Sequence, residues 1–333
     1  MAFNRDDYAR IKEYYENKKK AAKSRAEERS KTLCAEIPEL AEVQKKLAAT
    51  GPRIYEAVMD PEGDLEGKIA AIRKENEILL EKQKSILAAH GCPEDWLDVK
   101  YDCPICSDEG NVNGKMCICM KKVLIEEGYK TAGIAGLVGT HNFDTFDLSY
   151  YEYDREVYSM MKYVFDRARN YAENFKPGSS KSVMFFGGTG LGKTHLSVAI
   201  AKRVIELENY VVYGTAQNVF SDFEYERFER SRSEKGRSDA AESRTAKYFD
   251  CDLLVIDDLG TEIKTQAVTA FLYNLMNTRI GEGKPMIINT NLATPDSMVD
   301  RYDERIASRL FGEFLPYRFI GTDVRMLKLK KGK

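Results

Sequence analysis

The chain has 333 residues, 43% of them hydrophobic and 31% charged, which excludes a disordered or low-complexity chain and leaves room for two cores at the usual domain size of roughly 100–150 residues. With 51 Lys and Arg against 53 Asp and Glu, the net charge of −2 excludes a globally basic nucleic-acid binder, so phosphate contacts must come from local patches. No apolar run approaches the ~20 residues of a membrane span, and MAFNRDDYAR lacks the apolar core of a secretory leader, so a cytoplasmic protein with no membrane partner is expected.

From the N-terminus to about Lys31, alternating charges with Tyr8, Ile11, Tyr14 and Tyr15 at helical spacing predict a charged amphipathic helix. Two further helical stretches are predicted from Leu40 to about Ala89, interrupted at Gly51-Pro52 and Pro61-Glu62-Gly63, with Leu65, Ile69, Ile72, Ile78 and Leu79 as a recurrent apolar face. A helical hairpin that packs within its own domain is the simplest arrangement.

Four of the seven cysteines then fall within 17 residues: Cys103 and Cys106, ten intervening residues rich in Gly and Asn, then Cys117 and Cys119. That spacing and the odd total do not suit a secreted disulfide framework and do suit a metal site in a reducing compartment, with Cys34, Cys92 and Cys251 left as free thiols. Four thiolates favour a closed tetrahedral Zn²⁺ site with a structural role; an iron–sulfur cluster stays open because C-x-C is tighter than the usual C-x₂-C. A short helix over about 121–127, closed by Gly128, and a Gly-rich linker over 133–141 follow.

Beyond residue 142, short β-rich apolar runs at 182–186, 210–213, 253–256 and 286–289 alternate with helical stretches, the pattern of an α/β domain with a parallel sheet. The expected organisation is a helical domain over 1–99, a four-cysteine module over 100–132, the linker, and an α/β domain over 142–333.

The first of those strands runs into Gly187-Gly188-Thr189-Gly190-Leu191-Gly192-Lys193-Thr194, a full match to G-x-x-x-x-G-K-[ST], with a helical run behind it. Backbone amides of such a loop cradle phosphate oxygens at a helix N-terminus, Lys193 is placed for the β- and γ-phosphates, and the Thr194 hydroxyl for Mg²⁺. ATP and Mg²⁺ are therefore expected. Leu253-Leu254-Val255-Ile256-Asp257-Asp258 is an apolar strand ending in two carboxylates, a Walker B pattern. Asp257 would hold Mg²⁺ through its water shell and Asp258 would polarise the attacking water, although Glu262 lies close enough in sequence to share the base role.

With PMIINTNL and ERIASRLFGE following LLVIDDLGTE, residues from about 142 to 325 resemble the DnaC/DnaI/IstB group of AAA+ ATPases. The resemblance implies an AAA+ P-loop sheet flanked by helices and ATP hydrolysis. It also implies a γ-phosphate-sensing Asn291, an arginine finger reaching a neighbouring subunit from Arg309 with Arg305 as the alternative, and a cis-acting Arg325. With eight residues following Arg325, the helical lid of larger AAA+ proteins is not expected. The cysteine segment YDCPICSDEGNVNGKMCICMKK resembles the zinc-bearing linker of DnaI-like loaders.

Between the second strand and Walker B, Phe223, Tyr225, Arg227, Phe228 and Arg230 interleave rings with guanidinium groups, a mixture suited to single-stranded DNA, with Arg232, Lys235 and Arg237 beyond. A core-facing aromatic stripe with a solvated charged face is the competing reading. The expected function is ATP-dependent loading of a hexameric replicative helicase onto single-stranded DNA, with self-assembly through AAA+ domains. An IstB-like transposition helper, a small-molecule P-loop kinase and a non-hydrolysing adaptor are the alternatives.

Overall fold

The computed structural model describes residues 3–60, 64–233 and 243–331, without the side chains of 230–233 and 330–331. The chain divides into two compact units: residues 10–120, and residues 121–333 together with 1–9.

The first helix, α1 (Arg5–Glu36), is followed by α2 (Pro38–Ala48), α3 (Thr50–Met59) and α4 (Leu65–Ala89). Three helices therefore fill the stretch expected to hold two, because Gly51 and Pro52 fall in the first turn of α3, where proline's missing N–H removes no intrahelical bond. Leu33, Ile37, Leu40, Val43, Leu79, Ile86 and Leu87 form the core of this unit. Of the apolar face expected on α4, Ile72 and Leu79 point inward, whereas Ile78 is 63% exposed. Asp64 caps α4 by accepting from the Gly67 N–H at 3.0 Å.

Between the cysteine pairs, β1 (Asn111–Val112) and β2 (Lys115–Met116) form an antiparallel hairpin. Asn113 and Gly114 turn it, both with positive φ, as a two-residue hairpin loop requires. Helix α5 (Ile118–Thr131) runs straight through Gly128, where it was expected to end. A Cβ at Gly128 would lie 2.9 Å from Ile205 Cγ2, so the glycine serves close packing and not chain reversal. Residues 133–141, expected as a linker, pack instead: Ile134 is fully buried in the core of the larger unit, and the Tyr213 N–H donates to Ala132 O just before it.

A 3₁₀ turn at Leu148–Tyr151 precedes α6 (Arg155–Glu173), β3 (Val183–Gly187), α7 (Lys193–Glu206), β4 (Val211–Thr215), α8 (Ala216–Ser233), α9 (Ala246–Asp250) and β5 (Leu253–Leu259). Then come α10 (Gln266–Gly281), β6 (Met286–Thr290), α11 (Pro295–Arg301), α12 (Glu304–Gly312), β7 (Leu315–Phe319) and α13 (Val324–Lys331). The sheet is parallel with strand order β4-β5-β6-β3-β7.

Alternation along each strand divides the core in two. Val183, Phe185, Val211, Leu253, Val255 and Ile287 belong to one cluster, while Met184, Val212, Leu254, Ile256, Met286 and Ile288 belong to the other. Both faces are covered, which is why these strands read as nearly continuous apolar runs. The fifth strand, β7, carries Pro316 and Arg318 and escaped the sequence reading; it lies at the sheet edge, where a residue lacking an N–H is tolerated. Among the described residues, no helix is long and apolar enough to cross a membrane.

Candidate functional site

A cleft of about 320 Å³ opens where β3 gives way to α7. Gly192, the residue before α7, has φ 93°, and a Cβ there would meet the Phe146 ring at 2.8 Å, so only glycine serves. Thr189, Gly190, Leu191, Gly192, Lys193 and Thr194 line one wall. Gly187 and Gly188 do not line it; their carbonyls accept from Lys193 Nζ at 2.9 and 2.6 Å, and Asn291 Oδ1 accepts at 2.7 Å. Burial pushes the Lys193 ammonium down to about 8, against the pull of Asp258 and Asp257.

Asp258, Thr261 and Asn291 also line the cleft, with Arg325 and Lys328 from α13. Asp258 has φ 54°, a left-handed conformation uncommon outside glycine. Burial first, and the neighbouring Asp257 second, push its carboxyl above the ordinary aspartate range, while Lys193 and Arg325 pull it down.

Asp257 is only 3% exposed and is absent from the cleft lining. One of its oxygens accepts from Tyr213 Oη; the other accepts from Asn289 Nδ2 at 2.7 Å and from the Asp258 N–H at 3.0 Å. Asn289 also donates to Ser197 Oγ at 2.8 Å, which connects the end of β5 to α7. Burial, then the Asp257 charge, raises the Tyr213 phenol, so it stays a donor. Neither Tyr213 nor Asn289 stood out in the sequence, although the two asparagines of Ile-Asn-Thr-Asn, separated by one residue, divide between the wall behind Asp257 and the cleft.

Glu262 is also buried, but outside the cleft lining. Its oxygens accept from the Gly260 N–H at 2.9 Å, from Arg301 at 3.2 Å and from Tyr302 Oη. This carboxylate is a structural partner of α11, not an open base. Truncating it strands a largely buried guanidinium, so Glu262→Ala is expected to cost about 3–5 kcal/mol and to lower the calorimetric unfolding midpoint by on the order of 10 °C. A midpoint equal to the parent's would show that the pair carries no stability.

The aromatic end of the cleft was not anticipated. His141, Phe146 and Tyr150 line it, with Tyr151 Oη donating to Leu191 O at 3.0 Å. Phe146 stacks on Tyr151 at 6.0 Å and meets His195 edge-on at 5.1 Å. The signal was the aromatic density of NFDTFDLSYYEY, which only the chain's return to the phosphate loop turns into a wall.

Arg305 and Arg309 lie on α12 and do not line this chain's cleft. Arg305 pairs with Asp303 Oδ2 at 2.7 Å, and Arg309 donates to Asn277 Oδ1 at 2.6 Å. Arg325, by contrast, lines the cleft of its own chain.

In the smaller unit, the sulfurs of Cys103, Cys106, Cys117 and Cys119 all lie within 4.8 Å of one another. Tetrahedral Zn–S bonds of ~2.3 Å place sulfurs about 3.8 Å apart, so the quartet fits a four-coordinate ion. Backbone N–H groups of Cys106 and Ile105 bring the Cys103 thiol down to about 7, while burial pushes Cys119 up to about 12. The buried Asp108 carboxylate fixes the first knuckle by accepting from the Asp102 and Cys103 N–H groups, each at 2.9 Å.

The aromatic–basic set on α8 separates. Phe223 is 8% exposed and stacks on Phe271 at 5.3 Å, so its ring belongs to the core and is unavailable to a base. Tyr225 and Phe228 are 45% and 69% exposed, Arg227 is exposed beside them, and the Arg244 guanidinium sits 3.9 Å over the Tyr225 ring. The side chains of Arg230 and Arg232, and all of Lys235 and Arg237, lie outside the described residues.

The profile of the bacterial DnaA ATPase domain matches residues 152–314, which hold the phosphate loop, the Walker B strand and α12. This part of the chain is an AAA+ ATPase domain. The chromosomal replication initiator protein DnaA of Campylobacter jejuni subsp. doylei is 33% identical over 152 residues, covering 44% of this chain and 31% of that protein. DnaA of Lactobacillus johnsonii is 29% identical over 136 residues, 40% of this chain and 28% of its own. The chain thus spans about a third of the length of these curated relatives. Among solved structures, the DnaC helicase loader is 20% identical with a TM-score of 0.44, covering 54% of this chain and 97% of that one. The DnaI structure is 17% identical with a TM-score of 0.42, covering 55% and 89%. The cleft is lined by residues of this domain, and Arg305 and Arg309 of α12 are not among them.

Proposed function

We propose that this chain is an ATP-dependent DNA replication protein that loads a replicative helicase onto single-stranded DNA, with ATP binding and hydrolysis as the switch between assembly and release. The observation that carries the reading is an AAA+ domain similar to that of replication initiators on the same chain as a separate helical unit with a four-cysteine cluster. The helical unit is assigned to the helicase and the AAA+ domain to nucleotide, DNA and self-assembly.

In the cleft, Lys193 leaves its carbonyl and Asn291 partners for the β- and γ-phosphates, the loop amides wrap the phosphate chain, and Thr194 offers its hydroxyl to Mg²⁺. When bound, Mg²⁺ would supply neutralisation of the phosphate charge. Asp257, oriented by Tyr213 and Asn289, would help hold that ion through its water shell. Asp258 faces the cleft and orients the attacking water, Asn291 registers the γ-phosphate, and Arg325 adds charge in cis. Phe146 and Tyr150 close on the base. Arg309 is assigned to the nucleotide of a neighbouring subunit. The cysteine quartet is assigned to Zn²⁺ and keeps its module folded. Tyr225, Phe228 and Arg227 remain the candidates for single-stranded DNA.

ATP turnover by the purified chain, with and without single-stranded DNA and a hexameric replicative helicase, tests the proposal. Stable capture of the helicase and DNA-responsive turnover are expected. Lys193→Ala is expected to weaken ATP binding roughly 10- to 150-fold, the loss of a hydrogen-bonded charge. Turnover that ignores helicase and prefers duplex DNA would replace loading with the transposition-helper reading.

A further inference from the structure

Arg305 and Arg309 stand four residues apart on α12 and share one helical face. Tyr273 and Asn277 stand four apart on α10, and the two faces meet. Both guanidinium groups lie over one ring: Arg305 Cζ is 4.9 Å and Arg309 Cζ 5.6 Å from the Tyr273 centroid. Their remaining partners differ in charge. Arg305 donates from Nε at 3.1 Å and from Nη2 at 2.7 Å to the carboxylate of Asp303, which neutralises it. Arg309 donates to the amide oxygen of Asn277 at 2.6 Å, and its two partners here, that amide and the Tyr273 ring, are neutral.

The distinction matters for a cation that has to meet a polyphosphate. An arginine paired with a carboxylate must give up that charge before it can serve a second anion. A ring face and an amide oxygen orient a guanidinium in the plane of its donors and leave its full charge available. Tyr273 and Asn277 do this from a helix whose inner face, at Leu272, Leu275 and Met276, is fixed in the core.

We propose that Tyr273 and Asn277 are positioning residues that form a neutral cradle presenting Arg309 to the nucleotide of an adjoining copy of the chain, while Arg305, held by Asp303, is not the donated arginine. This rests on the assembly reading above and adds to it which side chains hold the finger, and why their lack of charge is the requirement.

Asn277→Asp separates presentation from mere support. A carboxylate at that position holds Arg309 at least as firmly as the amide does, so a residue that only fastens α10 to α12 tolerates the change. A cradle that must leave the charge uncompensated does not. The experiment uses the full-length chain and reads ATP turnover against protein concentration, in mixtures of two variants. Arg309→Ala subunits provide intact clefts, and Asp258→Asn subunits provide Arg309. Mixing the two is expected to restore turnover that Arg309→Ala alone lacks by roughly a thousandfold. Adding Asn277→Asp to the arginine-providing subunit is expected to lower the restored turnover roughly 5- to 30-fold, more than Asn277→Ala does. Tyr273→Phe keeps the ring and the activity, Tyr273→Leu does not, and Arg305→Ala in the same subunit has little effect. ATP affinity and the unfolding midpoint stay at the parent's values throughout.

If Arg309→Ala leaves turnover unchanged at every concentration, the trans-acting arginine fails and the cradle with it. If Arg309→Ala abolishes turnover but Asn277→Asp subunits restore it fully, or if Arg305→Ala is as damaging as Arg309→Ala, the cradle alone is overturned.

Discussion

Asp258→Asn is expected to lower ATP turnover roughly 10²- to 10⁴-fold while ATP still binds, the range for loss of a positioned general base. Two carboxylates compete for the role in the sequence, and their surroundings separate them. Glu262 is occupied by Arg301, Tyr302 and the Gly260 N–H, whereas Asp258 lines the cleft with Thr194 and Asn291. Asn is a clean probe because it tolerates the left-handed conformation of residue 258 as well as Asp does. It keeps the shape and one acceptor oxygen and removes the basicity. Steady-state turnover and calorimetric ATP titration check the two halves. Turnover within threefold of the parent would remove Asp258 from the chemistry, and Glu262→Gln, run beside it, would show whether the base had been misassigned.

The second large effect concerns the cysteine quartet. Metal analysis is expected to find one Zn²⁺ per chain, and Cys103→Ser or a thiol-reactive mercurial is expected to release it. Apparent binding free energies of structural zinc sites, about 10–16 kcal/mol, are folding free energy for the segment that holds the ion. The loss should be local. The hairpin of β1 and β2 has four residues in its strands and two knuckles, whereas Leu40, Leu79 and Leu87 form a separate apolar cluster within the same unit. Hydrogen exchange is therefore expected to rise over residues 101–120 and stay low over α2 and α4. Stoichiometric iron with visible absorption would replace zinc by an iron–sulfur cluster. Protein free of metal with unchanged exchange would remove the structural role altogether.

Much of the site was legible because its chemistry is contiguous. The phosphate loop is eight successive residues whose glycines specify the backbone, and the Walker B acids end an apolar run that can only be an inner strand. The helices of the smaller unit were legible from their periodicity, but the count was short by one: Gly51-Pro52 reads as a break, yet proline is tolerated at a helix start. β7 was missed because an edge strand need not be apolar, and LPYRF alternates half-buried and exposed positions. Gly128 was taken for a helix end because the surface pressing on it, Ile205, is 77 residues away.

By itself the sequence determined the class of chemistry: a phosphate-binding loop, a carboxylate-ended strand behind it, and four sulfurs at metal-ligand spacing. Local backbone geometry and ligand type are properties of neighbouring residues, and these motifs are made of neighbours. Only the tertiary structure decided which acid faces the cleft, that Phe223 is core and not a base-stacking ring, that Tyr213 and Asn289 hold Asp257, and which arginine of α12 meets a carboxylate and which an amide oxygen. Each of those depends on partners brought together across the fold, between 32 and 48 positions apart in the chain, and on burial that sets whether a charge is paired, shifted or exposed. Residue type states what a side chain can do; packing decides what it meets.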